Sequence, residues 1–91
     1  MKVEWDPVKA TTNLRKHGVS FERAAEALRD PMAVTLPDPD HSVGEMRLIS
    51  VGNTPAGQLL TIAHTDRATA VRLISARKST PDERSIYEEQ G

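Results

Sequence analysis

Few residues in this chain are equipped for chemistry. With no cysteine, thiolate nucleophiles and thiolate zinc sites are excluded. No Gly-rich phosphate loop, HExxH pair or dinucleotide fingerprint occurs either. The remaining set is His41, Glu45, Arg47, His64, Arg67, Arg72, Arg77 and Tyr87. These residues suit phosphodiester cleavage on RNA without a metal ion. Arginines grip the non-bridging phosphate oxygens, and grip harder as charge builds up in the transition state. A Glu or His takes the proton from the ribose 2′-hydroxyl, and a His, Arg or Tyr assists the departing 5′ oxygen. A 2′,3′-cyclic phosphate would follow. Asp38, Asp40, His41 and Glu45 also lie close along the chain, as oxygen ligands of a metal would. The interleaved prolines are what any solvated turn contains, so no metal is assigned.

Each residue has a structural reading beside the chemical one. Glu45 and Arg47 at i, i+2 on one strand could form a surface ion pair worth little. Arg72 and Arg77 could neutralise carboxylates such as Glu83 or Glu88, and His64 could do no more than hydrogen-bond within a hairpin. Arg67 reads as a solvated turn residue. Tyr87 falls one helical turn beyond Glu83, where its ring can pack on a sheet with the hydroxyl wet.

The positioning elements follow from caps and periodicity. Asp6-Pro7 starts a helix, which ends in Arg15-Lys16-His17-Gly18, cations at the negative end of the dipole followed by a residue free to adopt the left-handed cap. Ser20 caps a second helix with Phe21, Ala24, Ala25 and Leu28 on one face, stopped by Asp30-Pro31. Short apolar runs at 34–36, 47–51, 59–64 and 71–77, divided by turn-forming segments, predict an antiparallel meander. Residues 3–5 are a weaker strand candidate. Thr80-Pro81-Asp82-Glu83 is a capping box opening a last helix to about residue 89. The class is α+β, a small antiparallel sheet with two N-terminal helices and one C-terminal helix packed on one face. Strict alternation puts Arg72, Ile74 and Ala76 on one side of their strand and Leu73, Ser75 and Arg77 on the other.

The chain has 91 residues, 37% of them apolar, which suits one domain over 1–91 with a compact core. Its net charge of -1 argues against a uniformly basic nucleic-acid binder. Charge is blocked, however: residues 7–19 carry +3 and residues 44–81 another +3, between acidic stretches. No apolar run approaches the ~18 residues needed to cross a bilayer, and the first residues do not read as a secretory signal. A cytoplasmic protein is expected.

Five spaced blocks then carry a resemblance. They are Trp5-Asp6-x-x-Lys9-x-x-x-Asn13-x-x-Lys16-His17-Gly18-Val19-x-Phe21; Asp38-x-x-His41-x-x-Gly44-Glu45-x-Arg47; His64-Thr65; Arg72-x-Ile74-Ser75-Ala76-Arg77; and Glu83-Arg84-x-x-Tyr87. In order and spacing the chain resembles the BrnT family of bacterial type II toxin-antitoxin modules. The resemblance implies a RelE-like ribonuclease toxin fold, growth arrest by RNA cleavage and no cofactor. It further implies a BrnA-type antitoxin with a DNA-binding ribbon-helix-helix part, promoter DNA contacted only through that antitoxin, co-repression, and a heterotetramer. Carried onto matching positions, it implies His41, Glu45, Arg47, His64, Arg72 and Arg77 as catalytic residues. Lys16, His17, Arg67 and Tyr87 become RNA-binding residues, although helix capping explains Lys16 and His17 equally well. The alternative function is a catalytically inert protein-binding module of a repressor complex. A plain RNA-binding domain is disfavoured by 3% aromatic content, because single-strand platforms stack bases on aromatic rings.

Overall fold

The computed structural model describes residues 1–41 and 44–90, His41 by its backbone alone. The elements are β1 (Val3–Glu4), α1 (Pro7–His17), α2 (Phe21–Leu28), β2 (Val34–Pro37), β3 (Leu48–Asn53), β4 (Leu59–Asp66), β5 (Val71–Lys78) and α3 (Pro81–Glu89), with a 3-10 turn at Pro39–His41. The strands form one sheet in the order β1-β5-β4-β3-β2. From β2 to β5 it is the expected antiparallel meander. The weak candidate at the N-terminus is a strand of two residues, and it runs parallel to β5.

Helix boundaries lie where the capping residues set them. The Asp6 carboxylate accepts from the Val8 amide at 2.8 Å, and Gly18 closes α1 at φ 70° with its amide donating to the Leu14 carbonyl. Ser20 caps α2 by accepting from Arg23. At α3 the Thr80 hydroxyl and the Glu83 carboxylate satisfy one another's backbone amides.

α1 and α2 cover one face of the sheet. There Val19, Phe21, Ala24, Ala27, Leu60, Ile62, Leu73 and Ala76 form the core, with Trp5 edge-on to Phe21 at 5.9 Å between ring centroids. Small residues let α2 lie close to β3: a Cβ at Gly52 would stand 2.3 Å from the Ala27 carbonyl oxygen. α1 runs along the side of β5 that the short β1 leaves unpaired. Asn13, 5% exposed, replaces the missing strand there. Its amide nitrogen donates to the carbonyls of Val19 and Ala76, and its oxygen accepts from the Ala76 amide, each at 2.9 Å.

α3 corrects the expectation that all helices share a face. Glu83 meets Thr61 and Arg77, which the strand register sets on the side away from α1 and α2. α3 buries no residue of its own. Polar contacts hold it there, including a hydrogen bond from the Tyr87 hydroxyl to Asp30 at 2.5 Å.

Asn13→Ala would leave two carbonyls and an amide without partners in a buried place, and should cost about 2–4 kcal/mol. Gly52→Ala should destabilise through the clash with α2. Urea unfolding checks both, and midpoints equal to the parent's would refute the account of α1 and α2 packing.

Candidate active site

A bulge decides which side chains share the outer face. Ala63 pairs with Ser75 but His64 pairs with Leu73, so Ile74 is an extra residue in β5. Across it the phase of alternation shifts by one. Leu73 and Ala76 both reach the core, and Arg72, Ser75 and Arg77 all fall on the opposite face with their partners Thr65, Ala63 and Thr61. Strict alternation had separated Arg72 from Arg77, and the bulge reverses that expectation.

The outer face therefore has a floor of small residues, Thr61, Ala63 and Thr65, no more than 6% exposed. Arg72 and Arg77 flank it on β5. On the other side, Arg47 immediately precedes β3 and continues the alternation of Val51 and Ile49. Extended to Arg47, the register sets Arg47 and Arg72 on either side of Thr65, two strand spacings or ~10 Å apart.

Each of these arginines has an acidic neighbour. Arg77 holds Glu83 with two parallel bonds of 2.7 and 2.8 Å. Glu83 also accepts from the Thr61 hydroxyl and the Thr80 amide. The Arg77 guanidinium draws the Glu83 carboxyl down from its ordinary 4.5 to about 2, against the opposing effect of burial. Arg72 approaches Glu4 at 3.9 Å, and Arg47 approaches Asp38 at 3.8 Å, both beyond hydrogen-bond reach. At the β4–β5 turn, Arg67 bonds Glu45 through Nε at 3.0 Å and lies 3.7 Å from Glu4. Arg67 thereby holds the Glu45 carboxyl below its ordinary range. Glu45, Arg67, Glu4 and Arg72 form one chain of alternating charge.

His64 stands apart from this face. Its ring is on the helix side, 3% exposed, with Nε2 2.7 Å from Ser50 Oγ and Nδ1 2.8 Å from Asp66 Oδ1. Ser50 in turn meets the Thr35 hydroxyl at 2.7 Å. A carboxylate only accepts, so Nδ1 donates to Asp66. The order Ser-His-Asp matches a hydrolytic triad, but Ser50 is 1% exposed and its oxygen meets no substrate. What the array does is fix the His64 ring, and with it the bulge, through both nitrogens.

The other sequence candidates are dispersed. The His41 side chain lies outside the described residues. Lys16 and His17 lie at the end of α1, beside Ser75. Tyr87 is on α3 with its hydroxyl engaged by Asp30, which raises its pKa. Among the described residues no three His, Asp or Glu side chains cluster as metal ligands would. Sequence reasoning missed the acidic partners Glu4 and Asp66. It did name Glu83 as a carboxylate that Arg77 could neutralise, and the pair forms.

Residues 5–83 match the model of a family described as ribonuclease toxin, BrnT, of type II toxin-antitoxin system. Among solved structures the chain is similar to the Brucella abortus ribonuclease toxin BrnT. The two are 25% identical with a TM-score of 0.67, over 88% of this chain and 97% of that one. No curated protein matches the chain.

The depressed pKa of Glu83 gives a pH signature. Its stabilising effect is fully present above the unfolded value near 4.5 and is lost as pH falls through about 2. Glu83→Gln should therefore be less stable than the parent at pH 7, and the two should converge between about pH 4.5 and 2. Urea midpoints measured across that range check this; a constant offset would show that Glu83 contributes nothing through its charge.

Proposed function

Because the chain belongs to the BrnT family of ribonuclease toxins of type II toxin-antitoxin systems, we propose that it is an endoribonuclease that cleaves RNA without a metal ion. The observation that carries this reading is the gathering of Arg47, Arg72 and Arg77 around the small-residue floor of the outer face. A phosphate over Ala63 and Thr65 would have Arg47 on one side and Arg72 on the other, and those groups gain most as negative charge grows on the phosphoryl oxygens. The looser carboxylate contact of Arg72 with Glu4, at 3.9 Å, is one that a phosphate displaces easily. Arg77 uses its two terminal nitrogens on Glu83, and its Nε–H takes no part in that pair.

The base is Glu45 or His41. Glu45 is exposed and kept ionised by Arg67, so it can accept the 2′-hydroxyl proton at any pH near neutral. The 2′ oxygen then attacks phosphorus, the bond to the 5′ oxygen breaks, and that oxygen takes a proton as it leaves. The products are a 2′,3′-cyclic phosphate and a 5′-hydroxyl end. His64, sealed behind the sheet, acts only by fixing the bulge. In the cell a BrnA-type antitoxin would cover the outer face, and the pair, in a two-plus-two assembly, would repress its own promoter through the ribbon-helix-helix part of the antitoxin.

A second reading is favoured by one observation: Arg77 and Arg67 are already tied to carboxylates of their own chain. Under it the outer face is an inert docking surface for the antitoxin. Expression without antitoxin separates the two. The nuclease reading expects growth arrest and RNA fragmentation by the purified protein in EDTA. Arg72→Ala and Arg77→Ala should each lower cleavage by about 10²–10³-fold while the variants stay folded. Glu45→Gln should abolish an acid limb that lies below the ordinary carboxylate range. Intact RNA and normal growth, with antitoxin binding retained, would establish the inert reading instead.

A further inference from the structure

α1 and β5 leave a cleft between them. The Asn13 bonds to Ala76 fix the helix against the strand at one level, and the bulge residue Ile74 comes before that level. The cleft has a volume of about 260 Å³ and is walled by Val8, Lys9, Thr12, Lys16, Ile74 and Ser75. Its character is mixed. Val8 is 72% exposed and, with Ile74, gives an aliphatic wall. Lys9 and Lys16 stand two turns apart on α1, ~10 Å along the axis, and His17 adds a third nitrogen base at the rim. No carboxylate lines it. Ser75 belongs both to this cleft and to the outer face, where it pairs with Ala63 between the positions of Arg72 and Arg77. Through Ser75 the cleft adjoins the β5 side of the outer face.

We infer that this cleft binds a nucleotide of single-stranded RNA next to the cleaved linkage, its base against Val8 and Ile74 and its phosphates on Lys9 and Lys16. The inference rests on the nuclease reading, since the neighbouring face supplies the strand's direction of approach. An aliphatic wall bounded by two cations matches a base with phosphates on either side. The cleft also accounts for how a chain of net charge -1 with 3% aromatic residues engages RNA. The cations are concentrated on one path, and the base is held by aliphatic contact rather than by stacking on a ring.

A 2′-O-methyl RNA oligonucleotide, which cannot be cleaved by 2′-hydroxyl attack, is the probe. Binding is measured across salt concentrations for the parent and for Lys9→Gln/Lys16→Gln, two exposed changes whose folding is checked by thermal melting. The double variant should bind about tenfold more weakly near physiological salt, and its log K against log salt slope should be shallower by about 1.4, the loss of two single-strand phosphate contacts. Unchanged affinity and slope would overturn the inference. So would a loss confined to binding of the antitoxin, which would make an acidic protein segment the occupant. Failure of the parent to cleave ordinary RNA, with lysine-dependent binding intact, would remove the nuclease reading and leave the cleft as an RNA site.

Discussion

Between Leu73 and Ser75, β5 carries a residue that β4 does not match, and the side-chain phase of the strand changes there. Were Ile74 paired in regular register instead of bulged, a strand of period two would send Arg72 and Arg77, five residues apart, to opposite faces. One of them would then point into the core cluster of Leu60, Ile62 and Phe21, at a cost of several kcal/mol for an unpaired guanidinium. Because the bulge leaves Ile74 out of the pairing, both arginines face outward while Leu73 and Ala76 both remain inside. Ile74 itself lines the cleft beside α1, so the same irregular position touches both the arginine face and that cleft.

The two faces of the sheet divide the polar groups by purpose. On the helix side, the buried His64 is bonded through both ring nitrogens, to the buried Ser50 and to the half-exposed Asp66. Such an array tolerates little displacement, which suits its position at the irregular point of β4. On the outer side the charges are at least partly wet and compensated: Arg77 by Glu83, Arg67 by Glu45, Arg72 by Glu4. Exposed pairs of this kind contribute little to stability, and for the same reason an incoming phosphate exchanges with them at little cost. Glu83 differs, because four hydrogen bonds converge on it. It is better described as the anchor of α3 and the rigid support of Arg77.

Local rules were legible wherever the determining partner is a few residues away. Asp6, Gly18, Ser20 and Thr80 set helix ends through backbone groups within four residues, so cap chemistry alone found them. Hairpin pairing from β3 to β5 followed from short turns. Three things were not legible. The β1 pairing joins residues 3–4 to residues 71–72, and no two-residue run has a period. The side of the sheet taken by α3 depends on Glu83 reaching Arg77 and Tyr87 reaching Asp30, the latter a contact 57 residues apart. The face of His64 could not be read because Ser50, its partner, lies across a strand pair.

The amino-acid sequence by itself determined the inventory: the class of fold, the order of elements, the family through its five spaced blocks, and the types of side chain available for phosphate chemistry. Those are properties of composition and of near neighbours, and they need no packing. Only the tertiary structure decided which of those side chains meet. Whether Arg72 and Arg77 share a face turns on one unmatched residue in a strand register, and whether His64 is exposed turns on which layer covers it. Both are settled by long-range pairing, where a shift of a single residue turns a side chain to the opposite face.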